Sequence, residues 1–342
     1  MISLIVLLSL FALGSAQNTT DCVCGPASSM NGNGTMSSPF MICTVNQWNS
    51  IGTNFTGGSY WKLCDNLVFS GKFRPVGNQS VPFVGNFDGN GFRVAKYNLR
   101  AKQRLDTATS YIGLFGSVHN STITNLTIKN VVMQSSGQRY VGALAGSVVN
   151  STISYIFSNV FPEQLDDFCG GLFGSVMQSF LHHIFVTGRN SWIGYGQDAM
   201  GVVAYSIDRS HLSDIRITGS MTYNDSFFPS ASLIGSLAGS VKNSQVSNVD
   251  ITNPIRFIDL SLNILDPDLL IAPDLVGGVA GSSVNNTYTN VFSFCQFFIR
   301  NVAITQNVGN RVNGVGHNLG LLFGESVNDT LTNVDYVPLC TL

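Results

Sequence analysis

Residues of the types that do acid–base chemistry are sparse, and few of them are adjacent. Asp166 and Asp167 are the only neighbouring acids, and His182 and His183 are the only neighbouring histidines. Paired carboxylates suit inverting glycoside hydrolysis when they face each other across a cleft, at about 6.5–9.5 Å. Neighbours along a strand point to opposite faces, so the acid pair is better explained as an exposed loop. We therefore predict no catalytic residues and a chain that is not an enzyme.

Metal and cofactor sites are not predicted either. Asp88 begins an Asp-Gly-Asn-Gly segment, but Leu99 stands where a calcium loop needs a bidentate glutamate. Asp266, Asp268 and Asp274 leave calcium binding in a later insert open as an alternative. His183 falls in a column of turn residues described below, which favours a turn role over metal binding. None of the glycine-rich segments precedes a predicted helix, so a phosphate-binding loop is not expected.

The composition narrows the class of protein. Of 342 residues, 17 are basic and 19 acidic, and charged residues make up 11% of the chain, against about 25% in an ordinary soluble domain. Gly, Asn and Ser account for 106 residues, whereas Glu occurs only twice. Helical bundles, coiled coils and most α/β enzymes are therefore excluded. The net charge of −2 excludes an electrostatic nucleic-acid binder, and a hydrophobic content of 44% argues against disorder.

The N-terminus predicts export. An apolar run over residues 2–13 ends in Gly14-Ser15-Ala16, which is typical of a signal peptide over residues 1–16. No later run is long enough for a transmembrane helix, and no GPI signal is recognised. We expect a secreted or cell-surface protein carrying N-linked glycans. The candidate acceptors are Asn18, Asn33, Asn54, Asn78, Asn120, Asn125, Asn150, Asn224, Asn285 and Asn328.

Cysteine usage agrees with an oxidising compartment. Four of the seven cysteines lie within residues 22–64, and the single spacer of Cys22-Val-Cys24 does not fit a zinc site. We expect disulfides in an N-terminal cap over residues 17–64, with connectivity left open and one cysteine left over. The candidates are Cys22, Cys24, Cys43, Cys64, Cys169, Cys295 and Cys340. Residues 338–342 are predicted to form a C-terminal tail.

A repeat occurs seven times between the cap and the tail. Its anchors are Gly116, Gly146, Gly174, Tyr205, Gly239, Gly281 and Gly324, spaced 30, 28, 31, 34, 42 and 43 residues apart. The positions two before, seven after and ten after each anchor are apolar in every copy. No copy can bury its apolar face alone, whereas stacked copies bury a continuous core. The repeat therefore predicts an all-β fold of stacked coils over residues 65–337, each with two short strands, the first alternating inward and outward.

Two further columns have structural roles in this stack. Glycine at the anchor permits close approach of backbone, which applies to Gly116, Gly146, Gly174, Gly239, Gly281 and Gly324. Asparagine four residues later tolerates the left-handed turn conformation and can bond to the next coil, which applies to Asn120, Asn150, Asn243, Asn285 and Asn328. The longest inserts, residues 252–274 and 294–318, are expected to be loops on one side, where binding is common. Aromatic residues Trp48, Trp61 and Trp192, and segments 191–195, 227–228 and 292–298, are candidates for an exposed face or a flank cover.

The repeat resembles a known family. Gly-x-Leu-[Phe/Ala]-Gly followed by Asn-Ser-x-Ile-x-Asn is similar to the GLUG repeat, and residues 84–94 are similar to the segment that leads into such repeats. The resemblance covers roughly residues 65–337, with Tyr205 and Ile112 as departures from its glycines. It implies a right-handed parallel β-helix in an exported surface protein, and it carries over no catalytic residue.

These observations predict a secreted, N-glycosylated, non-enzymatic structural or adhesive protein of a cell surface, wall or matrix. Glycans or matrix proteins would be its partners, and no cofactor is expected. One alternative is a β-helix that binds or degrades polysaccharide. A second is a self-assembling subunit of an extracellular filament, because coil ends offer unpaired strand edges.

Overall fold

The computed structural model is all-β, with one short helix among the residues that it describes. These residues are 22–26, 29–51, 58–70, 73–101, 111–135, 140–165, 168–191, 200–223, 233–252, 255–257, 274–299, 304–308, 311–314, 317–320 and 322–341. No helix in these ranges is long and apolar enough to cross a bilayer.

The strands are short in the N-terminal part and alternate between short and long from residue 111 onwards. In chain order the first half comprises β1 (Phe40–Ile42), helix α1 (Val45–Ile51), β2 (Ser59–Leu63), β3 (Leu67–Val68), β4 (Gly85–Asp88), β5 (Arg93–Ala95), β6 (Asn98–Ala101), β7 (Tyr111–Ile112), β8 (Phe115–His119), β9 (Thr122–Ser135), β10 (Tyr140–Val141), β11 (Ala145–Val149), β12 (Thr152–Leu165), β13 (Phe168–Gly170), β14 (Phe173–Met177) and β15 (Phe180–Ser191). The second half comprises β16 (Met200–Gly201), β17 (Ala204–Asp208), β18 (His211–Tyr223), β19 (Leu233–Gly235), β20 (Ala238–Lys242), β21 (Gln245–Thr252), β22 (Ile255–Phe257), β23 (Asp274–Gly277), β24 (Ala280–Val284), β25 (Thr287–Ile299), β26 (Ile304–Val308), β27 (Arg311–Gly314), β28 (His317–Gly320), β29 (Phe323–Val327) and β30 (Thr330–Thr341).

Three sheets collect these strands, and almost all of the pairing is parallel. Each repeat contributes one strand to each sheet: the first sheet holds β9, β12, β15, β18, β21, β25 and β30, the second holds β7, β10, β13, β16, β19, β23 and β28, and the third holds β8, β11, β14, β17, β20, β24 and β29. Strands β26, β27 and β28 form the antiparallel exception. We use "coil" for one passage of the chain through the three sheets. The arrangement is consistent with a β-solenoid.

Residues of the same repeat position lie directly above one another. Ile153 pairs with Ile123 on one side and with Leu181 on the other, and this row continues through Leu212 and Val246. Each of these five side chains is at most 1% exposed. The parallel register therefore turns each apolar column of the sequence into a continuous buried row.

One apolar row contains a tyrosine, and the core adjusts to it. Tyr288 is fully buried, and its hydroxyl lies 2.8 Å from the hydroxyl of Ser283. Ser283 occupies the row held by Val241 in the preceding coil. A buried phenol needs a hydrogen-bond partner, so the serine replaces an aliphatic residue where the partner is required. Burial raises the pKa of Tyr288, which keeps the phenol protonated.

The first strand of each coil does not alternate as predicted. Phe115, Ser117 and Val118 are all buried. Pairing of β11 with β8 skips the anchor glycine, because Ala145 pairs with Phe115 and Ser147 with Ser117. A Cβ on Gly146 would lie 2.3 Å from the backbone nitrogen of Ile112, so the anchor excludes any side chain. The anchor is thus packed as tightly as the apolar positions beside it, so burial in this strand does not follow a period of two.

The N-terminal cap is closed by two disulfides, Cys22–Cys64 and Cys24–Cys43. The expected disulfides near the N-terminus are confirmed, whereas Cys169 lies buried in β13. The side chains of Cys295 and Cys340 fall outside the described part of the chain. Helix α1 begins with a capping box, in which Thr44 Oγ1 accepts from the backbone of Gln47 and Gln47 Oε1 accepts from the backbone of Thr44.

Trp48 of helix α1 enters the core beneath the first coils. It is fully buried and makes edge contacts with Phe69, Phe87 and Phe115, at centroid distances of 6.5, 5.8 and 5.6 Å. Trp61 is 6% exposed. Of the two alternatives for these tryptophans, an exposed aromatic face does not apply, because both side chains are buried in the core at this end of the stack.

Every coil turns its first corner through a left-handed residue. Asn120, Asn150, Gln178, Arg209, Asn243, Asn285 and Asn328 have φ between 47° and 56°. Asparagine adopts this region at low cost, which explains its frequency here. Side chains of this column also bond between coils, since Asn150 Nδ2 donates to Asn120 Oδ1 at 2.6 Å and Asn285 Nδ2 donates to Asn243 Oδ1 at 3.3 Å.

A buried serine follows each of the first five of these corner residues and forms a ladder. The backbone N–H of Ser151 donates to Ser179 Oγ at 3.1 Å, and the hydroxyl of Ser179 donates to the carbonyl of Met177 at 2.7 Å. The same pair of bonds recurs at Ser121, Ser151, Ser179, Ser210 and Ser244, and the ladder then passes through Asn286 to Asp329. Each serine therefore satisfies one buried donor of the preceding coil and one carbonyl of its own coil.

The ladder predicts a difference between two Ser→Ala variants. Ser179→Ala leaves the buried N–H of Ser151 without its acceptor, so we expect a loss of about 1–3 kcal/mol in the free energy of unfolding. Ser213→Ala removes a half-buried hydroxyl on the outer side of the first sheet, and we expect a change within about 0.5 kcal/mol. Urea unfolding followed by circular dichroism measures both. Equal losses in the two variants would contradict the role of the ladder.

Candidate functional site

The outer side of the first sheet carries an exposed cluster of aromatic rings and imidazoles. Phe180 is 54% exposed and stacks on His211 of the next coil, with centroids 5.2 Å apart and planes 25° apart. Tyr155 is 52% exposed and stacks on His183 of the next coil, at 4.6 Å and 15°. Exposed large apolar side chains in contact with one another mark surfaces that bind something. We call these four residues with His182 the ring cluster.

The parallel register builds this cluster. Phe180 pairs with His211 in the outward row that otherwise holds Thr122, Thr152, Gln245, Thr287 and Thr330. His182 follows two residues after Phe180 and therefore lies on the same side of the strand. Tyr155 and His183 lie at the second left-handed corner, where the other coils have Asn125, Asp214, Asn248, Asn290 and Asn333. Adjacent coils thus place rings from consecutive repeats in contact.

A groove extends from the cluster along the stack. It has a volume of about 210 Å³ and is lined by Phe180, Leu181, His182, His211, Leu212, Ser213, Gln245, Val246, Ser247, Thr287 and Thr289. Its polar side chains are hydroxyls, one amide and two imidazoles, with no carboxylate, lysine or guanidinium among the lining residues. It crosses four neighbouring strands, β15, β18, β21 and β25.

Two histidines of the cluster are in direct contact. The Nδ1 atoms of His182 and His183 lie 2.9 Å apart, so one ring donates and the other accepts. Burial lowers the pKa of His182, the charge of His183 lowers it further, and Asp214 opposes both effects. The pair therefore favours a neutral His182 near neutral pH.

A second aromatic row lies beyond the second corner. Phe157 and Phe185 pack at 5.1 Å, Lys129 lies over the ring of Phe157, and Arg216 lies over that of Phe185. Arg216 also approaches Asp250 at 3.4 Å, and burial raises the pKa of Asp250 against the opposing effect of this guanidinium. This row is charged and partly buried, which distinguishes it from the neutral groove.

The residues singled out in the sequence fall in different places. Asp88 accepts from the backbone of Asn90 at 2.8 Å and from Asn125 Nδ2 at 3.2 Å, as a tight turn requires. Asp166, Asp167, Asp266, Asp268 and Trp192 lie outside the described residues, as do segment 227–228 and most of insert 252–274. The prediction that insert 294–318 is a loop is wrong where the structure describes it, because this insert contains the end of β25, strands β26 and β27 and the start of β28, all of which pair with other strands. Within the described residues, no group of three or more His, Cys, Asp or Glu side chains could hold a metal ion. Phe292 is 36% exposed in the second aromatic row.

Sequence reasoning missed Tyr155, Phe180 and His211. The signal was available in the repeat alignment, because each of these residues interrupts a column of small polar or turn-forming residues. The sequence instead predicted binding residues in the two long inserts. The outward-facing columns of the repeat were interpreted as ordinary solvent-exposed positions.

Together these features define an all-β protein of stacked parallel coils with a ring cluster and a neutral groove on one side. No family model matches the chain, and no curated protein matches it. The GLUG resemblance therefore stays a prediction.

One solved structure shares the fold of this chain. A structure from Bacteroides ovatus, named as a candidate immunoglobulin A1 protease, superimposes with a TM-score of 0.56 at 15% identity, covering 86% of each chain. A second structure, named IgA1 protease, has a TM-score of 0.37 at 15% identity, and the match covers 87% of this chain but only 21% of that one. The first likeness shows the fold alone, and the second carries no argument.

The prediction that the chain is not an enzyme is contradicted, because the solved structure that shares its fold is named as a candidate protease. That prediction came from the lack of a suitably placed pair of carboxylates in the sequence. The physical reason for the error is that a fold does not determine chemistry, which lies in side chains placed upon it. At 15% identity no peptidase residue can be carried over to this sequence.

Tyr155 is held in a costly backbone conformation. Its φ of 54° lies in the left-handed region, which costs a bulky residue roughly 1–2 kcal/mol relative to asparagine. We expect Tyr155→Asn to raise the free energy of unfolding by about 1 kcal/mol. Tyr155→Phe keeps the same backbone cost, so we expect the free energy of unfolding to change by less than about 0.5 kcal/mol. Urea unfolding compares the two, and a Tyr155→Asn variant no more stable than Tyr155→Phe would contradict the strain.

The histidine pair predicts a pH dependence of stability. Because the pKa of His182 is lower in the folded state, the unfolded chain takes up a proton first as pH falls. The free energy of unfolding should therefore decrease between about pH 7.5 and about pH 5, and His182→Gln should flatten this slope. His211→Gln is the control, because His211 lies outside the pair. An unchanged slope in His182→Gln would refute the assignment.

Proposed function

We propose that this chain is an exported, N-glycosylated protein of the cell surface or extracellular matrix, built as a right-handed parallel β-helix of about seven GLUG-like repeats. Residues 1–16 would act as the signal peptide, and residues 17–64 as the disulfide-bonded cap. The two disulfides support export, because such bonds persist in oxidising compartments. The parallel pairing of successive coils supports the helix.

Its role in this proposal is to bind an extended ligand on the outer side of the first sheet. One observation carries this function: exposed, mutually stacked rings lie at the head of a polar groove. Buried rings would serve packing, but Phe180 and Tyr155 are more than half exposed. Aromatic surface at this exposure is disfavoured in water unless a partner covers it.

A second candidate function is peptidase-like activity. The observation that favours it is the name of the structural neighbour, which describes a candidate immunoglobulin A1 protease with the same fold. This candidate makes a separate prediction, since it requires cleavage rather than retention of a protein substrate.

One experiment tests both candidates. The glycosylated protein, purified from a secretory expression host, is applied to a glycan array and a polysaccharide panel, and is incubated with immunoglobulin A1. We expect selective retention of a small set of ligands, because a groove of fixed shape discriminates. Absence of any selective binding would overturn the binding function. Cleavage of immunoglobulin A1 into specific fragments would establish the peptidase-like activity. Recovery of intact immunoglobulin A1 would rule this activity out.

A further inference from the structure

We propose that the groove binds a neutral oligosaccharide chain lying along the stack of coils, with the ring of Phe180 as its stacking platform. This inference rests on the proposed binding function and names its ligand class and site. Four features of the groove support it: an aromatic end, an uncharged polar lining, a fully paired backbone and flanks with a single glycan acceptor.

The aromatic end fits a sugar ring. Phe180 presents more than half of its surface to solvent, and His211 of the next coil stacks on one of its faces at 5.2 Å. A ring stacked in this way cannot rotate freely, so it loses little entropy when a ligand covers it. The C–H face of a pyranose is apolar and flat, and it complements such a platform.

The lining fits the hydroxyl groups of a neutral sugar. Ser213, Gln245, Thr287 and Thr289 line the groove, and their side chains have no hydrogen-bond partner among the described residues. Hydroxyl and amide groups both donate and accept, as sugar hydroxyls do. A uronate or sulfated chain would need a permanently charged partner such as lysine or arginine, and neither lines the groove. The lining therefore selects an uncharged chain.

The backbone argues against an extended peptide. Strands β15, β18, β21 and β25 are paired with neighbours on both sides. A peptide that adds to a sheet needs an unpaired strand edge for its main-chain bonds. Only side chains are available on this side, so the ligand must be recognised through its own ring faces and hydroxyls.

The dimensions and surroundings agree with this ligand. Neighbouring strands are about 4.8 Å apart, so the three steps from β15 to β25 span about 14 Å, enough for a short oligosaccharide. The corner residues beside β15, β18 and β21 carry no acceptor sequon: Gln178, Arg209, Asn243, His183, Asp214 and Asn248. The first corner beside β25 carries the acceptor Asn285, and the coils beyond the groove carry Asn120, Asn125, Asn150 and Asn328. Attached glycans would therefore leave most of the groove accessible.

The test measures binding of neutral gluco-, manno- and galacto-oligosaccharides by isothermal titration, with oligogalacturonate and dextran sulfate as anionic probes. We expect at least one neutral series to bind and both anionic probes to fail. Phe180→Ala should weaken binding about tenfold or more, and Gln245→Ala should also weaken it. Phe292→Ala is the matched control, since Phe292 is an exposed phenylalanine outside the groove. Circular dichroism verifies that each variant is folded.

The outcomes separate this inference from the function on which it rests. Glycan binding that Phe180→Ala leaves unchanged would overturn the site and leave the binding function standing. Preference for an anionic probe, or binding to immunoglobulin A1 alone, would overturn the ligand class. If no ligand binds in either assay, both the inferred ligand class and the proposed binding function are overturned.

Discussion

The structure depends on how each coil satisfies the backbone of the coil before it. At the first corner of every coil, a left-handed residue turns the chain and leaves the next N–H buried. The serine ladder gives that N–H an acceptor from the following coil, and the serine hydroxyl returns a bond to its own chain. An unpaired buried donor costs about 1–3 kcal/mol, so a coil shifted by one residue would pay this cost at its corner. The ladder therefore helps to hold the register on which the buried rows and the ring cluster depend.

Much of the fold could be predicted from the sequence, because stacking places like residues on like. The apolar columns, the anchor glycines and the left-handed corners all appear as recurring residue types. The N-terminal helix was not anticipated, although Thr44 and Gln47 have the spacing of a capping box. The alternation expected from Leu114 to Val118 failed because the anchor glycine packs tightly against the backbone of the preceding coil, a detail of backbone geometry that residue types do not record.

The candidate site was harder to predict, for a related reason. A repeat position that faces solvent tolerates many residue types, so an unusual residue there does not by itself indicate a site. Only the strand register shows which of these unusual residues are in contact. Phe180 and His211 are 31 residues apart in the sequence and stacked in the structure. Tyr155 lies in the turn column, where asparagine predicts a structural role, so nothing in the sequence marked it as a candidate. Its φ follows from the corner that the coils share, whereas a bulky residue at that corner carries a cost of the kind found at functional sites.

The rules of the serine ladder also make length a modular property of this protein. Each serine bonds only to its own coil and the adjacent one, so a whole coil could be inserted or removed and every remaining partner would still be found. Anchor spacings from 28 to 43 residues are compatible with the same ladder, because the loops that vary lie outside it. Duplication of a coil would extend the outer surface in steps of one strand spacing. A lineage could thus lengthen this outer surface without redesigning the core.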